Sequence, residues 1–345
     1  MGHRDRRVLA VDIGGTKIAA GVVDGSGAVH GRRTVLTPAG DGAAAVMAAA
    51  IAVAGLVADE QGVREELCAV GVGAAGVIDP ARGVVTHATD ALPGWAGTEL
   101  VGPFAQTFGV PAAVLNDVHA HALGEARYGA GRGAASMLLV AVGTGIGGAY
   151  VAGGSVVTGS HHVAGHVGHL SVPGAEGVPC TCGRLGHVEG LASGPGIAAA
   201  YRRAGGADLT AAQVVDLAQG PQNADTQRAQ EVLHRCGMAT GQMIGGLLNV
   251  LDPDVVVVTG GVAAAGDLWW AALREGVAAD AMDVVASTPV CSATGGVGAA
   301  LSGAAAWVTD WCDYISQAHR DDGQGGGPST ALMLGSRWSM SGVQR

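Results

Sequence analysis

Between Gly165 and Glu189 the chain reads GHVGHLSVPGAEGVPCTCGRLGHVE, which sets His169, Cys180, Cys182 and His187 close together. Two thiolates and two imidazoles are the donor set of a closed structural zinc site. A single residue separates the cysteines, so one backbone turn can aim both sulfurs at one ion. Nucleic-acid zinc fingers space their cysteines as C-x2-4-C before a histidine pair. The pattern here predicts a different use, a metal that pins a loop inside an enzyme. The polar residues on that loop then become candidates for the site.

Glycine turns follow several apolar runs. Without side chains they let backbone N–H groups approach an anion. The first is Asp12-Ile13-Gly14-Gly15-Thr16-Lys17. No G-x-x-x-x-G-K-[ST] loop exists in the chain, but this turn has exposed amides, a hydroxyl, and a strand-end carboxylate able to hold Mg2+ through water. Gly143-Thr144-Gly145-Ile146-Gly147-Gly148 is a second such turn and Gly260-Gly261 a third. Together they point to a nucleotide. Gly71-Val72-Gly73-Ala74-Ala75-Gly76 matches a dinucleotide fingerprint, but the next residues, Val77-Ile78-Asp79-Pro80, are not a helix start, so that reading is rejected. Asn116-Asp117 ends an apolar run ahead of a helix. Its carboxylate suits a general base for a hydroxyl attacking phosphorus. Both residues are equally suited to cap the helix.

These residues need strands to present them. Val8–Val11, Ile18–Val23, Cys68–Val72, Pro111–Leu115, Met137–Val142 and Val255–Val258 read as strands, with Ala149–Val151 opening a return strand. Ala43–Val57, Ala122–Ala126, Glu231–Leu251 and Gly295–Trp307 read as helices. Strand, glycine turn and helix recur in both halves, which predicts an α/β chain of two lobes with mixed sheets.

The chain has 345 residues, 48% of them apolar, so it can bury a sizeable core; with 3% aromatics, Ala, Val and Leu must pack it. A net charge of −10 argues against nucleic-acid partners and anionic membranes. Gly42–Ala58 carries no charge, but its alanine content reads as a buried helix rather than a membrane span. Six cysteines in a chain this long are no disulfide framework, and a reducing cytoplasm fits. Cys68, Cys236 and Cys291 lie in apolar surroundings and read as buried thiols. No targeting segment is expected, because Asp12 interrupts the first apolar run. From about Asp321 the sequence turns Gly-, Ser- and Gln-rich and reads as a disordered tail.

The chain resembles the ROK family of bacterial sugar kinases and related sugar-sensing repressors, over roughly Val8–Trp307. Asp12–Lys17 and Gly143–Gly148 resemble its two phosphate motifs, Leu115-Asn116-Asp117 its sugar and catalytic motif, and Gly165–Glu189 its zinc loop. The resemblance implies the two-lobed actin-like ATPase (ribonuclease H-like) fold. Residues 1–117 and about 292–308 would form the small lobe, and 118–291 the large lobe with zinc loop 165–189 and nucleotide turn 259–262. Asp117 would be the general base for the 6-hydroxyl of a hexose. Asn116, with the Gly76 loop, would bond ring hydroxyls, and His169 and Glu189 those near C1 to C3. Asp12, Gly14, Gly15, Thr16, Lys17, Gly143, Thr144, Gly145, Gly260 and Gly261 would surround MgATP. Zinc on His169, Cys180, Cys182 and His187 would fix His169 and Glu189 without an electrophilic role.

Two residues depart from the family's pattern. His187 stands where the family usually has a third cysteine, and histidine remains an ordinary zinc ligand. His166 stands where its kinases usually have a glutamate. An imidazole can donate as well as accept, which would suit the carbonyl of a 2-acetamido group. The resemblance therefore implies a cytoplasmic, ATP-dependent 6-kinase, a homodimer as is usual in the family. N-acetylglucosamine or N-acetylmannosamine is the favoured acceptor and glucose the alternative; polyphosphate remains an alternative donor. A sugar-responsive repressor is disfavoured, because Met1–Val11 is too short for a DNA-binding domain. A non-catalytic sugar sensor stays open.

Overall fold

The structure, a computed structural model, describes residues 6–89 and 92–321. The elements run β1 (Arg7–Ile13), β2 (Lys17–Val23), β3 (Val29–Leu36), α1 (Ala43–Glu60), β4 (Leu67–Ala74), β5 (Val77–Asp79), β6 (Val84–His87), α2 (Val101–Phe108), β7 (Ala112–Asn116), α3 (Asp117–Tyr128), β8 (Ser136–Val142), β9 (Ile146–Ala152) and β10 (Ser155–Val156). There follow α4 (Val188–Ala192), α5 (Gly194–Arg203), α6 (Ala211–Ala218), α7 (Ala224–Leu251), β11 (Val255–Thr259), α8 (Asp267–Asp280), β12 (Val290–Ser292) and α9 (Ala299–Asp321). They group into two compact units, one within Met1–Gly124, Gly159–Val163 and Gly295–Arg345, the other spanning Glu125–Thr158 and Ala164–Thr294.

The first unit is built on a sheet of order β3-β2-β1-β4-β7. β1 and β2 are antiparallel, while β4 is parallel to both β1 and β7. The register sets Asp12 opposite Gly73 and Ala74 opposite Asn116. Three parallel strands thus deliver Asp12, Gly73 and Asn116 to one sheet edge, and ligands of such sheets bind beyond the carboxyl ends of the strands. α1 is long and apolar enough to cross a membrane by length and composition. Here it packs against β2 and β3, burying Val46, Met47, Ala50, Val53, Ala54 and Val57. The core also holds Leu9, Val11, Ile13, Val70, Val72 and Val114.

The second unit repeats the spatial order as β10-β9-β8-β11-β12, with β11 parallel to β8 and β12. Ala141 pairs with Thr259, so the glycine turns after β8 and β11 leave the same edge. α7 begins at Asn223, whose side chain accepts the N–H groups of Asp225 and Thr226, and stops at Asp252 ahead of Pro253. It packs closely on α8, with Trp269 fully buried among Leu233, Cys236, Met243 and Ile244.

Several expectations shift. The return strand opens at Ile146 rather than Ala149, because Gly147 and Gly148 already pair with Ala141 and Val140. Gly148 does so where a Cβ would sit 3.2 Å from the Gly165 carbonyl. Cys68 is exposed, not buried: the period-two alternation at the start of β4 turns it outward between buried Leu67 and Ala69, while Cys236 is buried and Cys291 intermediate. The rejected dinucleotide fingerprint lies largely within β4 and leads into β5, not a helix. The tail expected to be disordered lies, beyond Asp321, outside the described residues.

Candidate active site and metal centre

At the carboxyl edge of the first sheet two carboxylates lie near Gly73. A Cβ there would sit 3.6 Å from Asp12 Oδ1 and 3.7 Å from Asp117 Cα. Burial, then the Asp117 carboxylate, push Asp12 up to about 7, against a smaller pull from Arg32. Burial also raises Asp117 above the ordinary carboxylate range, opposed by backbone N–H groups, the Asn116 amide and His121. Like-charged, desolvated carboxyl groups at a strand edge mark a site able to take a cation or a proton.

Asn116 caps the helix and also makes two further bonds with its amide. Its Oδ1 accepts from the Val118 N–H at 3.0 Å and the His119 N–H at 3.1 Å, capping α3. Its Nδ2 donates to the Gly76 carbonyl at 3.0 Å and to Asp117 Oδ1 at 2.9 Å, where the Val118 N–H also donates. The Asn116 amide is therefore spent on aiming the Gly76 carbonyl and the Asp117 carboxylate. Gly76 has φ +102°, a region that favours glycine. The first glycine turn is pinned from β3's end, where Thr37 donates from its hydroxyl to the Gly14 carbonyl and from its N–H to the Thr16 carbonyl. Gly15 and Thr16 lie at the tip of that turn and Lys17 opens β2, with Thr16 and Lys17 exposed.

In the second unit the turn Gly143–Gly145 is closed by the Gly143 N–H on the Gly145 carbonyl at 2.8 Å, and the Gly143 carbonyl takes the Gly194 N–H at the start of α5. Thr144 at its tip is exposed. Gly260 (φ +94°) follows β11 where any Cβ would overlap the Val142 carbonyl, so the turns bearing Gly143 and Gly260-Gly261 lie side by side.

His169, Cys180, Cys182 and His187 converge, with one donor atom from each lying within 4.8 Å of all the others. Cys180 Sγ is 3.5 Å from His169 Nδ1, and Cys182 Sγ 3.2 Å from His187 Nδ1. Zinc bonds of about 2.3 Å to sulfur and about 2.05 Å to nitrogen give a tetrahedral S···N edge of about 3.5 Å. The donor set and its spacing therefore fit zinc. The loop is shaped for this: the Cys180 N–H donates to the Arg184 carbonyl, the Gly183 N–H to the Cys180 carbonyl, and the Val188 N–H to the Leu170 carbonyl. His166 precedes the short turn carrying His169, accepts the His169 N–H through its carbonyl, and sets its ring centroid 6.2 Å from that of His169. Glu189 is buried at the start of α4, its Oε2 accepting the Ile146 N–H at 2.9 Å and its Oε1 the Thr181 hydroxyl.

The structure thus groups Asp12, Gly14, Asn116, Asp117 and Gly76 in one unit. Gly143, Gly145, Gly260, the four ligands, His166 and Glu189 lie in the other. Sequence reasoning passed over Thr181, whose only signal is its place between two cysteines. Nor did it anticipate the setting of His162, held at φ +59° with Nε2 3.7 Å from Asp79 Oδ1 and a buried, unpartnered Nδ1.

Comparison with known proteins gives the family. The ROK family profile matches residues 8–311. A glucokinase of Halalkalibacterium halodurans is 32% identical over 82% of this chain and 88% of its own length. An N-acetylmannosamine kinase of Yersinia pseudotuberculosis is 36% identical over 74% of this chain and 83% of its own. The crystal structure of a ROK family glucokinase from Streptomyces griseus in complex with glucose and AMPPNP superposes with a TM-score of 0.74 at 29% identity, covering 87% of this chain and 98% of that one. With the ROK hexokinase of Thermus thermophilus the TM-score is 0.75 at 33% identity, over 87% of this chain and 96% of that one, so the two-unit α/β architecture is the actin-like ATPase fold, and the chain belongs to the ROK family and is one of its kinases.

Proposed function

We propose that this chain transfers the γ-phosphoryl group of ATP to the 6-hydroxyl of a hexose, and that its preferred acceptor is an N-acetylhexosamine, N-acetylmannosamine or N-acetylglucosamine. The observation that carries the kinase reading is the placement of Asp117, aimed by Asn116 and the Val118 N–H, beside Asp12 at the edge of three parallel strands. Asp117 accepts the proton of the 6-hydroxyl as that oxygen attacks the γ-phosphorus; the bond to the bridging oxygen breaks and ADP leaves. A raised pKa makes Asp117 a stronger base once ionised. Asp12 is the residue that would hold Mg2+ through water, and the ion would supply charge neutralisation on the phosphates. The turns Gly14–Thr16, Gly143–Gly145 and Gly260-Gly261 bind phosphate oxygens through N–H groups other than those of Gly14 and Gly143, which donate to the Lys17 and Gly145 carbonyls, with Lys17 beside the first turn. Asn116 meets ring hydroxyls by exchanging one of its present bonds, helped by Gly76. His169 and Glu189 hold hydroxyls near C1 to C3. Zinc on His169, Cys180, Cys182 and His187 would serve as a brace.

The acetamido preference is supported by His166, a donor where an acidic acceptor is usual, and by the 36% identity to an N-acetylmannosamine kinase. Glucose is the second reading, supported by the 32% identity to a glucokinase. We place the enzyme in the cytoplasm, in keeping with cysteines that form no disulfide among the described residues, and as a homodimer, as the family resemblance implies. Initial rates with MgATP on N-acetylmannosamine, N-acetylglucosamine, glucose and mannose test the proposal. An acetamido sugar should give the highest kcat/KM. Equal values for glucose and both acetamido sugars would remove the specificity reading, and no sugar-stimulated ADP release from zinc-loaded protein would favour a sensor.

A further inference from the structure

We propose that Thr181 and Glu189 form a relay by which the Cys/His cluster positions the turn Gly143–Gly145, so that metal loading governs nucleotide affinity as well as the sugar site. The inference rests on the reading of that turn as a binder of nucleotide phosphates.

Glu189 is buried and each of its oxygens is engaged. Oε2 accepts the N–H of Ile146, the residue that closes the turn and opens β9, at 2.9 Å. Oε1 accepts the hydroxyl of Thr181, which sits between Cys180 and Cys182. The Cys180 thiol lies 3.6 Å from the same oxygen. A metal-bound cysteine is a thiolate with no proton to give. Thr181 is therefore the donor that still holds Glu189 once the metal is bound, and it offsets the repulsion between thiolate and carboxylate.

The other side of Ile146 is packed against the same loop. A Cβ on Gly168, next to the ligand His169, would overlap the Ile146 carbonyl. A Cβ on Gly145 would sit 2.7 Å from Glu189 Oε2. The Ile146 N–H is thus bonded to Glu189, two residues after His187, and its carbonyl is packed closely against Gly168, beside His169. The turn's amides can meet phosphate oxygens only if their direction is set in advance, and the residue that sets it is clamped by the metal loop. Thr181 and Glu189 act here as positioning residues.

Thr181→Val keeps the side chain's shape and removes its hydroxyl, while Thr181→Ser restores it. Binding of MgADP without sugar is measured by titration calorimetry, beside zinc content and Tm. Thr181→Val should keep its zinc and lose MgADP affinity by about 10-fold, the effect of about one charge-assisted hydrogen bond. Thr181→Ser should stay within about 3-fold of the parent, and chelation of the parent's metal should weaken MgADP binding at least as far as Thr181→Val does. MgADP affinity within about 2-fold of the parent in zinc-replete Thr181→Val overturns the relay. Should Thr181→Val lose its zinc, Glu189→Gln is judged by the same criterion. A parent that binds no MgADP sinks the nucleotide reading itself, whereas a parent that binds it beside an unchanged variant sinks the relay alone.

Discussion

Replacing Asp12 by Asn should stabilise the metal-free protein at pH 8 while removing most of its activity. Burial and the neighbouring Asp117 raise the Asp12 carboxyl from 3.8 to about 7. The folded state therefore binds this proton more tightly than the unfolded state. Its contribution is fully present below pH about 4 and is lost as pH rises to about 7, because the unfolded chain ionises first. A shift of roughly 3 units at about 1.36 kcal/mol each sets a ceiling of about 4 kcal/mol. Sharing of the effect with Asp117 reduces this to about 2–4 kcal/mol. For units of this size that corresponds to a Tm change of roughly 4–16 °C. The assay is urea unfolding of the parent and Asp12→Asn, freed of divalent cations, from pH 4 to 8. Parent stability should fall relative to the variant across this window, and millimolar Mg2+ should restore it in the parent alone. Parallel pH profiles, or a variant less stable at pH 8, would refute the electrostatic account of this edge.

Two further substitutions probe the chemistry. Asp117→Asn keeps the size of the side chain and removes the base; kcat should fall by about 10²–10⁴ while sugar binding by calorimetry stays within about 3-fold. Near-normal turnover would remove Asp117 from its role. His166→Glu should shift the ratio of kcat/KM for N-acetylmannosamine to that for glucose toward glucose by about 10-fold or more, since a half-buried carboxylate there accepts from hydroxyl donors and cannot donate to an acetamido carbonyl. An unchanged ratio would detach His166 from specificity.

The carboxyl-edge residues were legible because β1 and β7 are short apolar runs that end in Asp12 and Asn116, and a parallel register then has to bring them to one edge. The metal cluster was legible because its ligands lie in one short segment. β3 was passed over: VHGRRTVL is an edge strand with little burial, so it carries no apolar signature. Cys68 was misplaced because its apolar neighbours say nothing about which side of β4 it faces. The double role of Asn116 needs the Gly76 carbonyl, distant in sequence, to come within 3.0 Å. The clamp on Ile146 was hidden for a similar reason, since it exists only once the metal loop docks on β9. His162 gave no sign of its left-handed backbone, because nothing local to HHVAG demands it.

The central claim is that a hexose hydroxyl activated by Asp117 receives a phosphoryl group. Phosphorus NMR of a reaction containing zinc-loaded protein, MgATP and N-acetylmannosamine, N-acetylglucosamine or glucose tests it most directly. At least one sugar should yield a 6-phosphate ester with one equivalent of ADP, and Asp117→Asn should suppress that signal. Inorganic phosphate as the only new species, or an ester at the anomeric oxygen, would contradict it.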